Sequence, residues 1–218
     1  MKQATDGQAE RARETRDKLI EAGLSLFSRH GLEGVRTRQL AEAAGVNQSA
    51  IPYHFGGKDG VYAAVVRHVA HSIVERVGLG AASRPPSTAA GAAQALKALM
   101  RNFTLVLLEE TDGAAGRSLL LAREQLHPTP IYEELYAQLF QPLHTAISGL
   151  VAALRSGTAE DPGNVLRAHA LLGQAIAFAV AREALLRRLG APALSGQAAS
   201  DIADMVGEMS VAAAQAGR

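Results

Sequence analysis

The chain has 218 residues, 48% of them hydrophobic, and a formal net charge of +1. It is long enough for one large domain or two small ones, and its overall charge does not by itself indicate nucleic-acid binding. Because cysteine is absent, a disulfide framework, a thiolate zinc site and a cysteine nucleophile are excluded. A polar N-terminus without an apolar signal segment predicts a cytoplasmic protein. The most apolar stretch, residues 168–181, is shorter than the roughly 20 residues of a membrane span, which favours a buried helix.

The periodic segments are helical throughout, since Ala, Leu, Arg and Glu dominate and runs of β-branched residues are absent. The first part of the chain predicts helices at about 10–30, 37–44, 48–55 and from 58 onward, with Thr37 and Asn47 as the N-caps of the second and third. Residues 78–93, rich in Gly, Pro, Ser and Ala, predict a connector. Beyond the connector we expect helices near 88–110, 114–126, 129–155, 162–189 and 197–215, the fourth of these beginning with Asp161-Pro162.

Residues 35–58 contain two short helices joined by a turn at Gly45. Ala41 and Ala44 are small enough to let the two helices cross closely, and Gly45 permits the positive backbone angle of a tight turn. This arrangement is typical of a helix-turn-helix. On the pattern alone, a DNA-binding motif and an ordinary helical hairpin within a core are equally open.

Residues 19–62 resemble the DNA-binding domain of the TetR/AcrR family. The resemblance rests on Phe27 and Gly31, on Leu40-Ala41-x-x-Ala44-Gly45-Val46, and on Tyr53-His54-Phe55-x-x-Lys58. Two later segments, residues 121–143 and 171–190, resemble one branch of that family, the CerR-like type. The resemblance implies an all-α fold. Residues 1–60 would form a three-helix DNA-binding domain, and residues 61–218 a helical bundle for ligand binding and dimerisation.

The resemblance places the second short helix of the motif in the major groove. Amide and methyl groups at its start would read bases, a guanidinium on the preceding helix would reach a guanine, and hydroxyl, imidazole and ammonium groups would bind phosphates. The DNA-contact candidates are Arg36, Thr37, Arg38, Asn47, Gln48, Ser49, Ala50, Tyr53, His54 and Lys58. For Tyr53 and His54 the alternative is a role in closing the small core. Pro52 departs from the family pattern, so the base preference of relatives does not carry over.

Two helices of the C-terminal part carry stripes of small or apolar residues that suit a dimer interface. The resemblance implies that the last two long helices of each subunit form this interface. Its candidates are Ala170, Gly173, Ala177, Ala181, Ile202, Met205, Val206 and Met209. The alternative is that both stripes face the core of their own protomer.

The remaining C-terminal helices are expected to surround a ligand pocket. Its candidates combine apolar and polar side chains: Met100, Phe103, Leu107, Arg123, Glu124, His127, Tyr136, Gln174, Phe178 and Arg182. The alternative for these residues is plain core or solvated surface.

Together these features predict a sequence-specific transcriptional regulator. We expect a homodimeric repressor that a small-molecule effector releases from double-stranded operator DNA, with no cofactor, metal or membrane. Two rival functions are weaker. A di-iron enzyme would need a second motif like Glu124-x-x-His127, which the chain lacks, and H-E-x-x-H and G-x-S-x-G are also absent. A constitutive architectural DNA-binding protein would need fewer helices for dimerisation.

Overall fold

The computed structural model describes residues 2–82, 86–109, 114–155 and 157–216. Every regular element in these ranges is helical, as the sequence predicts. In chain order the helices are α1 (Lys2–His30), α2 (Thr37–Ala44), α3 (Ala50–Phe55), α4 (Lys58–Val77), α5 (Leu79–Ala82), α6 (Ala89–Leu108), α7 (Ala114–Leu126), α8 (Tyr132–Leu135), a π-helical segment (Tyr136–Phe140), α9 (Gln141–Arg155), α10 (Pro162–Val180), α11 (Arg182–Leu189) and α12 (Gly196–Gln215).

Three N-terminal boundaries differ from the prediction. Helix α1 begins at Lys2 instead of residue 10. The N-cap of α2 is Arg36, whose backbone N–H donates to Gln39 Oε1 over 2.8 Å, so Thr37 is the first helical residue. Helix α3 begins at Ala50, with Ser49 as N-cap, because Asn47 Oδ1 accepts the Ser49 backbone N–H at 2.9 Å and fixes a turn there.

The C-terminal helices are more interrupted than the periodicity suggests. The helix expected over 129–155 divides into α8, the π-helical segment and α9, next to Pro142, which has no N–H to donate to the preceding turn. The helix expected over 162–189 breaks at Ala181, where the chain bends by 64°. The predicted connector contains α5, while its residues 83–85, like residue 110 of the next predicted helix, lie outside the described residues.

The chain divides into two compact units. The first consists of the residues up to Val69 together with Leu119–Tyr132, and the second of Ala70–Ser118 together with the residues from Glu133 onward. Helices α4 and α7 therefore contribute residues to both units. The functional division into residues 1–60 and 61–218 stays a prediction, because compactness alone does not assign a function.

The first unit has a small core closed by aromatic contacts. Phe27 of α1 and Tyr62 of α4 are buried, with their rings edge to face at a centroid distance of 5.0 Å. Leu40 of α2 and Ile51 of α3 are fully buried, which anchors both short helices to the unit. Burial of this kind stabilises a helix pair too short to persist alone.

A buried carboxylate joins α4 to the end of α7 within this unit. Glu124 is fully buried; one oxygen accepts the Tyr62 hydroxyl and the other accepts the Thr129 backbone N–H and hydroxyl, both at 3.2 Å. Burial and the hydrogen bond to Glu124 raise the pKa of Tyr62 above its ordinary value. The adjacent Arg123 donates to the carbonyl oxygens of Ser28 and Arg29 at 3.1 and 2.9 Å. These carbonyls belong to the last turn of α1, where a positively charged guanidinium interacts favourably with the negative end of the helix dipole.

The second unit is a bundle in which α6 packs against α9, α10 and α12. Helix α12 approaches α6 closely at the buried Gly207, where an added Cβ would lie 2.9 Å from the carbonyl oxygen of Lys97. An ion pair between Arg101 and Asp204 at 2.6 Å joins the same helices at the edge of this contact. Part of the apolar stripe of α12, including the buried Val206, therefore packs within its own protomer.

Two histidines meet between α9 and α10 of the second unit. Nε2 of His144 lies 3.4 Å from Nδ1 of His169, and the pKa of His144 is lowered by burial and then by the charge of His169. Since the unfolded chain binds a proton at this position more readily than the native one, the stability that neutral His144 contributes is fully present above the unfolded pKa. It is lost as pH falls from there through the lower pKa of the folded state.

We expect the wild-type melting temperature to fall more than that of His144→Gln between about pH 8 and about pH 5.5, when followed by circular dichroism. Substitution of the exposed His68 serves as the control: His68→Gln should track the wild type. Equal losses in wild type and His144→Gln would contradict the prediction.

Among the described residues, no single helix has both the length and the apolar character of a membrane span. Within the part of the chain that the structure describes, the pair α10 and α11 meets both criteria together, but it is bent by 64°.

Candidate nucleic-acid interface

Helices α2 and α3 are joined by a turn at Gly45, whose φ of 63° lies in the left-handed region that favours glycine. Both helices pack against α1 and against each other. Between them lies an open groove of about 410 Å³, lined by Thr37, Gln48, Ser49, Ile51, Pro52 and Gly57. The geometry is that of a helix-turn-helix, with a buried underside and a polar outer surface.

The predicted DNA-contact residues are brought together on this outer surface. Arg36, Arg38, Asn47, Gln48, Ser49 and Tyr53 are exposed, while Thr37, Ala50, His54 and Lys58 are half-buried. Tyr53 is 82% exposed, so it does not close the core; its ring meets the His54 ring edge to face at 4.8 Å. Pro52 is also exposed, and the α3 backbone continues through it, with Gly56 N–H donating to its carbonyl at 3.0 Å.

Arg16 of α1 is a neighbour of α3 that the sequence analysis does not identify. Its guanidinium lies 4.5 Å from the centroid of the Phe55 ring, and Nη1 donates to the His54 carbonyl oxygen at 2.7 Å. The group therefore combines a cation–π contact with a hydrogen bond to the C-terminal end of α3. Arg16 thus holds the C-terminal end of the short helix α3 against α1.

Two of the cationic candidates are paired with carboxylates in the free protein. Arg38 Nε lies 2.7 Å from Glu42 Oε1, which raises the pKa of the guanidinium, and Lys58 Nζ lies 3.8 Å from Glu33 Oε2. The Lys58 side chain is only 22% exposed, so its stem is packed and its ammonium group is held near the N-terminus of α4. In both pairs the carboxylate is open to water, where ion pairs are weak, so each cation can exchange its carboxylate for a phosphate.

Lys58→Ala is expected to weaken binding to all DNA sequences alike and to reduce the slope of log K against log salt by about one unit. The reason is the loss of one phosphate-neutralising charge without loss of a base contact. Binding would be measured by fluorescence anisotropy over a salt series. Lys18→Ala is the control, since Lys18 pairs with Glu14 at 2.7 Å outside the motif and should leave the slope unchanged. An unchanged slope in Lys58→Ala would remove Lys58 from the interface.

The dimer candidates of α10 lie on an exposed face. Ala170, Gly173 and Ala177 are exposed, together with three larger residues that the sequence analysis omits: Leu166, Ile176 and Val180. On α12, Met205 and Met209 are exposed and Ile202 is half-buried, whereas Val206 lies in the protomer core. Ala181, also exposed, marks the bend between α10 and α11.

The predicted ligand residues are divided between the two compact units. Met100, Phe103 and Leu107 are buried on α6 of the second unit, where Gln174, Phe178 and Arg182 are half-buried and Tyr136 is exposed. Arg123, Glu124 and His127 belong to the first unit. There Arg123 and Glu124 have the structural partners described above, and His127 is exposed. In the described residues, no group of three or more His, Asp or Glu side chains is arranged to hold a metal ion.

An exposed, polar turn and helix mounted on a closed helical core define the class: this is a helix-turn-helix DNA-binding protein. Comparison with known proteins agrees. Residues 19–65 match the model of the bacterial regulatory proteins of the tetR family, and residues 92–217 match that of the C-terminal domain of the HTH-type transcriptional dual regulator CecR. The CecR of Shigella flexneri is 32% identical over 183 residues, which cover 81% of each chain.

Solved structures show the same fold. A transcriptional regulator from Rhodococcus sp. Rha1 superimposes with a TM-score of 0.63 at 21% identity, covering 93% of this chain and 99% of the other. AibR in complex with isovaleryl coenzyme A and operator DNA superimposes with a TM-score of 0.66 at 16% identity, covering 89% and 97%.

The chain belongs to the TetR family, in the branch of CecR, and the predicted family resemblance is confirmed. It is a DNA-binding transcriptional regulator and not an enzyme.

Proposed function

We propose that this regulator binds a pseudo-palindromic operator as a homodimer, in the cytoplasm, and represses transcription until a small-molecule effector releases it. One observation carries the proposal: among the described residues, the chain exposes a polar surface on α2 and α3 and an apolar surface on α10. The first suits DNA and the second suits a copy of the same chain.

The apolar surface of α10 consists of large aliphatic side chains that are exposed to water. Leu166 is 70% exposed and Val180 61%, and they flank the small residues Gly173 and Ala177 on the same helix. Exposed apolar patches of this kind mark interaction sites, and small residues permit close helix approach. A twofold dimer also gives the protein two recognition helices, whose separation can match successive major grooves.

The second unit has polar atoms that suit an effector. Gln174 Oε1 and Arg117 Nε are buried and have no hydrogen-bond partner among the described residues. Buried polar atoms are nearly always hydrogen-bonded, so both are candidates to contact a polar ligand. They belong to the same unit as the buried apolar side chains of Met100 and Phe103. The AibR structure, solved with an acyl coenzyme A and operator DNA, is an example of a related fold that holds both kinds of partner.

Release requires the effector to prefer a conformer in which the two recognition helices no longer fit the operator. To take the protein from 99% to 1% DNA-competent, that preference must be about 10⁴-fold, or about 5.5 kcal/mol. Helices α4 and α7 contribute residues to both compact units, and the Tyr62–Glu124 bond joins them within the first. We propose these two helices as the path by which effector binding changes operator affinity.

The test is a panel of drugs, aromatic acids, acyl coenzyme A thioesters and metabolites. Each compound is screened for thermal stabilisation of the protein and then added to the protein–operator complex. A compound that raises the melting temperature should also lower operator affinity. Gln174→Leu, which removes the unpaired oxygen, should reduce both effects, whereas Gln138→Leu, at an exposed position, should change neither. If stabilising compounds never change operator affinity, a constitutive or partner-controlled regulator replaces the effector-controlled one.

A second candidate function follows from the Shigella flexneri relative, which is named a dual regulator. The present protein would then activate some promoters and repress others. Reporter fusions to the bound promoters distinguish the two: deletion of the regulator raises expression from every promoter if it only represses, and lowers expression from some if it has both roles.

A further inference from the structure

Two predicted DNA-contact residues are hydrogen-bonded to each other in the free protein. Gln48, in the turn before α3, donates from Nε2 to Oγ1 of Thr37, the first residue of α2, at 3.1 Å. Gln48 is exposed and Thr37 is half-buried. The bond therefore connects a flexible side chain on the outer surface to a residue whose backbone is fixed by the helix.

The backbone on both sides of this bond is itself held. Arg36 N–H donates to Gln39 Oε1 at the start of α2, and Asn47 Oδ1 accepts both the backbone N–H and the hydroxyl of Ser49, at 2.9 and 2.8 Å. Thr37 and Gln48 therefore each lie next to a backbone turn that is held by these hydrogen bonds. A hydrogen bond between their side chains restricts the rotamers of the glutamine amide.

The bond leaves the amide able to read a base. A glutamine amide has two N–H groups and a carbonyl oxygen, and a bidentate adenine contact uses only one N–H and the oxygen. The second N–H can remain on Thr37 while the base is bound. The Thr37 hydroxyl, acting as acceptor for Gln48, keeps its own proton for another acceptor.

We propose that Thr37 is a positioning residue for base recognition: its hydroxyl orients the Gln48 amide before DNA binds, so that less rotamer freedom is lost on binding the correct base. This inference rests on the proposed function. It assigns to the Thr37 side chain a role in sequence discrimination, beyond the general DNA contact predicted for this residue.

The experiment uses the full-length protein and an operator selected with the wild type. The base pair read by Gln48 is identified as the one at which Gln48→Ala loses its preference. Affinities for all four base pairs at that position are then compared for wild type, Thr37→Val and Thr37→Ser. Valine has the shape of threonine without the hydroxyl, and serine retains the hydroxyl.

We expect Thr37→Val to lower discrimination at that base pair by about two- to tenfold, the range for ordering one long side chain on binding. Thr37→Ser should restore it. In the Gln48→Ala background, Thr37→Val should have no further effect on discrimination at that pair, because no amide is left to orient. The salt slope should be the same in Thr37→Val and wild type, since no charge is removed.

Three results would overturn the inference alone, with operator binding intact: wild-type discrimination in Thr37→Val, equal weakening at all four base pairs, or a full effect of Thr37→Val in the Gln48→Ala background. A Gln48→Ala variant with unchanged preference at every position would also overturn it. A wild-type protein that selects no sequence would instead refute the proposed function on which the inference rests.

Discussion

Gly173→Leu is expected to convert the proposed homodimer into a folded monomer and to lower operator affinity by about 10²- to 10⁴-fold, the range lost when two linked binding modules become independent. Apart from the neighbouring backbone of α10 itself, no atom of the described residues lies within 4 Å of a Cβ built at Gly173, so the leucine fits the isolated chain. It is also a better helix former than glycine. Between two closely packed copies of α10, the same side chain would force the helices apart.

Light scattering at micromolar protein, circular dichroism and operator titration together test this prediction. Gly173→Ala is the matched control, because its single methyl group should leave a dimer. A helical Gly173→Leu protein that is still a stable dimer would move the interface away from this part of α10. A wild-type monomer at the same concentration would refute the dimer itself.

Glu124→Ala is expected to destabilise the protein by about 3 kcal/mol in urea unfolding followed by circular dichroism. The carboxylate is fully buried and is the acceptor for the Tyr62 hydroxyl and for both Thr129 donors. Its removal leaves these groups without their acceptor and also leaves a cavity. The magnitude is large because each unsatisfied buried group retains its desolvation cost.

A double-mutant cycle with Tyr62→Phe separates the two contributions. Tyr62→Phe alone should cost about 1 kcal/mol, and Glu124→Ala should cost less in the Tyr62→Phe background than in the wild type. His127→Ala, three residues along and exposed, is the control and should be close to neutral. Strict additivity of the two substitutions would contradict the hydrogen bond between them.

The all-α fold and helix α2 could be predicted from the sequence because their signals are local. Thr37–Ala44 lies between a capping segment and a left-handed glycine, and both act within a few residues. The break at Ala181 has no glycine or proline to mark it, so periodicity alone extends the helix through it. The exact start of α3 depends on the Asn47–Ser49 turn, which a preference for capping residues predicts only to within two positions.

The contacts that could not be predicted are those between distant parts of the chain. Arg16 is 38 positions from His54, and Tyr62 is 62 positions from Glu124. An arginine on α1 has the same sequence signature whether it is solvated or bound to α3. Glu124, beside His127, suggests a polar site, and only the folded chain shows that it is buried. The Arg38–Glu42 pair, by contrast, has the i, i+4 spacing of a helical ion pair and was accessible from sequence.

Selection of bound fragments from genomic DNA by the wild-type protein, at physiological salt, tests the central claim most directly. The account predicts enrichment of a few short fragments that share a pseudo-palindrome, with half-sites about 10–10.5 base pairs, or a multiple of this, from centre to centre. The enriched sequence should bind well above random DNA in direct titration. Retention of all fragments in proportion to their length, with no shared sequence and no advantage over random DNA, would contradict it.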